Sequence, residues 1–238
     1  MRLKLWGFLF AVLLAGCSSS DTAPEALADA ANEGPVVAGA TAATPEADPE
    51  NTLLLDLSTG GRVAIRLRPD VAPNHVERIK TLARQGFYNG IIFHRVIDGF
   101  MAQTGDPTGT GEGGSNLPDL SAEFSRLPHV RGAVSMARAN EPDSANSQFF
   151  ITFMPSLRLD ENYTVFGRVI SGMQFVDAIP RGEPPARPAR IIRASVAADN
   201  VPPPTAAELN AVTTGAADPA SAIDAALAEQ GMPEDEGE

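Results

Sequence analysis

The chain has a single cysteine, Cys17, in 238 residues, so no intrachain disulfide can form and no thiolate metal site can be assembled. Histidine is nearly as scarce. His75, His94 and His129 stand apart, without ligand spacing and without a carboxylate cluster beside them, which leaves metal catalysis unsupported. No Gly-x-Ser-x-Gly elbow is present, so covalent hydrolysis by an activated serine is not indicated either. Basic residues are missing from two whole stretches. Between Ser18 and Pro49 the charged residues are Asp21, Glu25, Asp29, Glu33, Glu46 and Asp48, and from Asp199 onward nine more acids follow without a base. With these and with Arg2 and Lys4 set aside, residues 50–198 carry 15 acids and 16 bases, so the formal charge of −12 belongs to the flanks. A nearly neutral middle offers no basic face for phosphates, which argues against nucleic acid as a partner.

The first seventeen residues read as a targeting signal. Arg2 and Lys4 form a positive start, Leu5 to Leu14 an apolar stretch, and Leu14-Ala15-Gly16-Cys17 a small-residue cleavage site. A spanning helix needs roughly 20 apolar residues, about twice this length. The segment resembles a bacterial lipobox, which implies a lipid on Cys17 and cleavage before it; an ordinary cleaved signal peptide that happens to end in cysteine is the alternative. Two or more acyl chains anchor stably where one does not. Ser18 stands where many Gram-negative lipoproteins carry an aspartate that retains them at the inner membrane, so the resemblance implies the periplasmic side of the cell envelope, at the outer membrane.

Residues 18–49 are rich in Ala, Pro, Glu, Asp, Thr and Gly, with little to bury, and are expected to be a disordered tether spanning about 30 Å on average. The tail, residues 199–238, runs from Pro202-Pro203-Pro204 to an acidic end. It is expected to be mostly disordered, with short helices possible at Ala206–Val212 and Ala220–Gln230.

Between them, Thr52–Leu57 and Arg62–Leu67 flank Ser58-Thr59-Gly60-Gly61, which is hairpin punctuation. Pro73 opens a helix whose apolar residues Val76, Ile79, Leu82 and Ala83 share one face, with Gly86 as its stop. Further strands are expected at Ile91–Ile97, Phe100–Gln103, Gly132–Ala137, Gln148–Phe153, Val165–Ile170 and Ile191–Val196, with a short helix at Met173–Ile179 ended by Pro180. About eight short strands and two helices without an alternating βα rhythm predict a mainly β domain over residues 50–198, a barrel or sandwich with helical caps. Gly109-x-Gly111-x-x-Gly114 matches the dinucleotide fingerprint, but Ser115-Asn116-Leu117-Pro118 cannot open the helix that fingerprint requires, so the glycines are read as a tight loop.

Chemistry concentrates in the fourteen residues from Phe93 to Asp106, where Arg95 and Gln103 are embedded in an apolar, aromatic run. An unpaired charge buried there would be costly, so both line a concave surface or are buried with partners. Three later blocks accompany this one: Ser135-Met136-Ala137-Arg138-Ala139, Ser147-Gln148-Phe149-Phe150-Ile151 and Tyr163-Thr164-Val165-Phe166-Gly167. All four, in this order, are similar to the cyclophilin family of peptidyl-prolyl cis-trans isomerases, over roughly residues 52–197. The resemblance implies a closed eight-stranded antiparallel β-barrel capped by two α-helices, catalysis of X-Pro isomerisation in exported proteins, no cofactor, and proline-containing polypeptides as partners. A proline-binding holdase with little turnover is the alternative, and nothing in the sequence demands more than a monomer.

Carried over by position, Arg95 and Gln103 match the catalytic pair that holds the substrate around the prolyl amide. Phe100, Met101, Phe150 and Leu159 match the apolar pocket for the proline ring; Ala137, Arg138 and Ala139 match a substrate groove, and Tyr163 a residue closing the pocket. Arg138 replaces an asparagine of the family, Tyr163 a histidine, and Arg158 a tryptophan that in many eukaryotic members contacts cyclosporin, so weak cyclosporin binding is expected. Residues 140–146 are about one residue longer than usual and carry Glu141 and Asp143, which bears on the preference for residues preceding proline.

Overall fold

The computed structural model describes residues 48–213. The lipobox with Cys17, nearly all of the acidic tether and residues 214–238 lie outside the described residues. The expected hairpin is β1, Thr52–Leu57, and β2, Gly61–Leu67, paired antiparallel from Thr52 opposite Arg66 to Leu57 opposite Gly61. Along β2 the apolar residues Val63, Ile65 and Leu67 are buried while Arg62, Ala64 and Arg66 alternate on the other face, the period-two pattern of a sheet covered on one side.

Helix α1, Pro73–Arg84, starts at a proline that has no N–H to lose, and it buries Val76, Ile79, Leu82 and Ala83 as its spacing predicts. Ala72 offers no capping side chain. The carboxylate of Glu123, from a distant loop, accepts from the backbone N–H of Asn74 and His75 instead, at 3.2 and 3.1 Å. Gly86 follows the helix with φ of 69°, a left-handed residue that ends it without the strain a side chain would bring.

The remaining strands are β3 (Arg95–Ile97), β4 (Met101–Thr104), β5 (Ala133–Met136), β6 (Phe149–Thr152), β7 (Val165–Ser171) and β8 (Ile191–Val196), with helix α2 at Met173–Asp177. All pair antiparallel in one eight-stranded curled sheet, in the order β3-β4-β6-β5-β7-β2-β1-β8. Its core holds Leu53, Leu55, Ile65, Ile79, Tyr88, Phe93, Phe149 and Phe166, all fully buried. The two outermost strands do not share a ladder. Isolated bridges close the gap beside them, Ile92 opposite Arg190, both just outside these strands, and Val96 of β3 opposite Gly182.

That closure explains why the strand expected over Ile91–Ile97 shrinks to Arg95–Ile97. The amides of Gly90 and Phe93 are used on Ile191 and Ala189 of the opposite edge, where regular pairing stops. A third helix, α3, covers Ala206–Thr213. Thr205 and Glu208 form a reciprocal capping box at its start, and Arg193 of β8 holds Glu208 at 2.6 Å. Among the described residues no helix is long and apolar enough to cross a membrane.

Candidate active site

Four neighbouring strands line up residues of the motif blocks. Arg95 on β3 faces Gln103 on β4, Gln103 faces Phe150 on β6, and Phe150 faces Ser135 on β5. Pleating then sorts the side chains. Val96, Ala102, Phe149, Ile151, Val134 and Met136 enter the main core, whereas Met101 and Phe150 join Leu159 in a second, separate apolar cluster. Ile97, Phe100, Ala137 and Tyr163 pack against that cluster as partly buried members.

The structure therefore brings Phe100, Met101, Phe150, Leu159, Tyr163 and Ala137 together, flanked by Arg95 and Gln103. Phe150 and Tyr163 meet edge to face, with ring centroids 5.9 Å apart. Ala139 is exposed beside them, and Arg138 lies partly buried with its guanidinium 4.7 Å from the centroid of Tyr163. Arg158 sits at the same distance over Phe100. Two cavities of about 190 and 220 Å³ lie elsewhere, the first along β2, β5 and β7 and the second beside α1, and none of these site residues lines either. The apolar cluster lies on the face of the sheet opposite the main core, with Met101, Phe150 and Leu159 buried and Ile97, Phe100, Ala137 and Tyr163 partly exposed around them.

Several polar residues that hold the site went unassigned in the sequence. Arg95 donates from Nε to Glu183 at 2.8 Å, its one hydrogen bond among the described residues, which leaves both terminal nitrogens of the guanidinium free. Gln103 donates to Gln148 at 2.9 Å, and Gln148 in turn donates to the carbonyls of Gly111 and Gly113. Thus the glycine loop, expected only to be tight, supports the glutamine pair. Asp106 organises the same loop. Burial alone would raise its pKa, but the Thr108 hydroxyl and the backbone N–H groups of Thr108, Gly111 and Gly113 hold it down to about 2.

His129 lies behind the pocket, fully buried, stacked on Phe150 at 6.1 Å with Asp160 at 2.8 Å from Nδ1 and Ser135 at 3.1 Å from Nε2. Burial lowers its pKa, and the Asp160 carboxylate opposes without reversing this. The Ser135 hydroxyl also reaches the Thr164 carbonyl, to which it donates at 2.9 Å. Asp160, His129 and Ser135 have the order of a hydrolase triad, yet Ser135 and His129 are both inaccessible, so the arrangement supports the pocket wall and cannot reach a substrate. Of these polar residues, Asp106, Ser135 and Gln148 fell inside the motif blocks that the sequence made conspicuous, whereas Glu183, His129 and Asp160 did not.

The family described as cyclophilin type peptidyl-prolyl cis-trans isomerase/CLD matches residues 54–196. A probable peptidyl-prolyl cis-trans isomerase of Brucella suis is 51% identical over 177 residues, covering 68% of this chain and 90% of the relative. Peptidyl-prolyl cis-trans isomerase-like 3 of Mus musculus is 46% identical over 125 residues, covering 51% and 77%. Among solved structures, the cyclophilin AquaCyp293 from Hirschia baltica superposes with a TM-score of 0.61 at 32% identity, covering 65% of this chain and 77% of the other. A Cryptosporidium parvum cyclophilin crystallised in the presence of the dipeptide Ala-Pro gives 0.57 at 29% identity, covering 61% and 98%.

Proposed function

The chain belongs to the cyclophilin-type peptidyl-prolyl cis-trans isomerases, and we propose that it turns X-Pro bonds on the outer face carrying Arg95, Gln103 and the Phe100-Met101-Phe150-Leu159 cluster. One observation carries the assignment of the face. Arg95, Gln103 and Phe150 occupy consecutive cross-strand positions beside an apolar cluster that the pleat segregates from the core.

Resonance in the peptide bond sets a rotation barrier of about 18–20 kcal/mol. A donor aimed at the prolyl nitrogen gains a hydrogen bond only when the lone pair leaves conjugation, so it stabilises the twisted state more than the planar one. The free terminal nitrogens of Arg95 supply such a donor on a rigidly planar guanidinium. The apolar cluster seats the proline ring and excludes water from it, while Gln103, held by Gln148, keeps a donor or acceptor oriented toward the substrate backbone. No proton moves and no covalent bond forms.

The test compares Arg95→Ala with the parent chain by NMR exchange on an X-Pro peptide. Losing one preorganised donor is expected to cost about a hundredfold in kcat, with the fold intact because Arg95 is partly exposed. Unchanged turnover would place the chemistry elsewhere; binding without turnover in the parent chain would favour a holdase.

The first seventeen residues support secretion and lipid attachment at Cys17, and Ser18 supports sorting to the outer membrane, hence work on exported proteins from its periplasmic side. Uncatalysed X-Pro isomerisation takes tens to hundreds of seconds and limits folding of such proteins. Cys17→Ser is expected to release the protein from the membrane fraction and to abolish metabolic labelling by a fatty acid.

A further inference from the structure

We propose that the site selects X-Pro bonds flanked by acidic residues. This rests on the assignment of the active face and adds a substrate class to it. Two cations stand on the aromatic walls of the proline pocket: Arg158 over Phe100 and Arg138 over Tyr163, each 4.7 Å from the ring centroid. Both rings pack against Met101, Phe150 and Leu159, so each cation lies at the rim, where a residue next to the bound proline must pass.

Neither charge is matched. Arg138 gives its N–H groups only to backbone carbonyls, to Ala139 and Asn140 at 2.9 Å and to Asn162 at 3.2 and 3.4 Å. Its donors are satisfied and its plane is fixed, while the positive charge stays uncompensated. Arg158 is exposed and makes no hydrogen bond or ion pair among the described residues. None of the acids close to them in sequence pairs with either arginine: Asp160 is held by His129, Glu161 by Arg126 at 3.7 Å, and Asp143 by the amide of Ala122. Glu141 forms no ion pair with Arg138, and Glu183 is taken by Arg95. Arginine–carboxylate pairing is common on the rest of this surface, as in Arg62–Asp56, Arg68–Asp70, Arg131–Asp177 and Arg193–Glu208. The rim of the pocket thus presents two open positive charges on a chain whose net charge is −12.

A carboxylate on the residue before or after proline compensates them and a lysine is repelled. An exposed pair of this kind changes affinity by up to about fivefold, and two acting together by about tenfold or more, fading as salt screens them.

The experiment measures kcat/KM of the full chain by NMR exchange on matched peptides carrying Glu, Gln or Lys directly before proline, and a second set with the same residues directly after. The expected result at low salt is a Glu-to-Lys ratio of about ten in at least one set, falling toward one in 1 M salt. Arg158→Gln is expected to reduce that ratio and Arg158→Glu to reduce it further; this side chain is exposed and unbonded, so the fold is not at stake. Acceleration of the Gln peptide with a Glu-to-Lys ratio near one overturns the preference and leaves the isomerase site standing. A ratio that survives both Arg158→Glu and Arg138→Gln overturns it as well. If no peptide is accelerated, the assigned site falls and the preference with it.

Discussion

Acid is expected to weaken this domain well before its carboxylates titrate, because all three of its histidines are buried. His75 and His129 are fully inaccessible and His94 is 5% exposed. In each, burial is the largest influence and lowers the pKa below the free value of 6.5, outweighing Glu123 beside His75 and Asp160 beside His129. A base whose folded pKa is depressed binds its proton more readily when unfolded. Its contribution is therefore fully present above pH 6.5 and is lost as pH falls from there toward the folded pKa. Each histidine that stays neutral in the fold down to pH 5.5 removes about 1.4 kcal/mol between pH 7.5 and 5.5, and three together at most about 4 kcal/mol. That is a large part of the 5–15 kcal/mol that typically holds a domain together. The stabilisation from Asp106, held at about 2, is fully present above its ordinary value and is lost only as pH falls from there toward 2, so the histidine window stands clear of it. Urea denaturation followed by circular dichroism at half-unit steps from pH 7.5 to 5.5 measures the loss directly. His94→Gln should flatten the profile, by at most about one proton or 1.4 kcal/mol over the window, whatever it does to stability at pH 7.5. A stability that stays level or rises over that range would refute the account, and so would a His94→Gln profile parallel to the parent.

Three further substitutions test how the site is held. Gly105 has φ of +91° and no room for a side chain, a Cβ there falling 2.4 Å from the Ser147 carbonyl and 2.8 Å from the Gln148 Cα; Gly105→Ala should cost about 3 kcal/mol or more in a thermal or urea melt, and should lower activity by displacing Gln148 from Gln103. Tyr88→Phe removes a buried bond to the same carbonyl at 3.0 Å, with an expected loss of about 1 kcal/mol in denaturation and no change in kcat. Glu183→Gln weakens the one contact that orients Arg95, a half-exposed pair that adds under about 1 kcal/mol to stability; turnover should fall severalfold while the melting curve stays put, and equal turnover would show that Arg95 needs no such anchor.

Local pattern reached a long way into this molecule. The β1–β2 hairpin follows from four turn residues between two apolar runs, and α1 from a proline start, one apolar face and a terminal glycine, all nearest-neighbour or next-turn effects. Arg95 and Gln103 stood out as a charge and an amide among aromatics, while the roles of the site residues came from the resemblance to the cyclophilin family. Where partners lie far along the chain, local pattern fell silent. Glu183 meets Arg95 across 88 positions and Asp160 meets His129 across 31, and no periodicity connects such residues. Alternation along β4 and β6 also marks two faces without saying which is the core. Only the curl of the sheet decides that Phe149 and Ala102 fill it while Phe150 and Met101 form a second cluster outside. The same closure cuts short the strand expected over Ile91–Ile97, since its amides are drawn to the opposite edge. Residue chemistry and short-range spacing thus determined the elements, and the resemblance of the motif blocks to the cyclophilin family named the reacting groups. The tertiary structure alone decided which groups touch, which charges are matched, and why Arg138 and Arg158 are left open at the rim of the pocket.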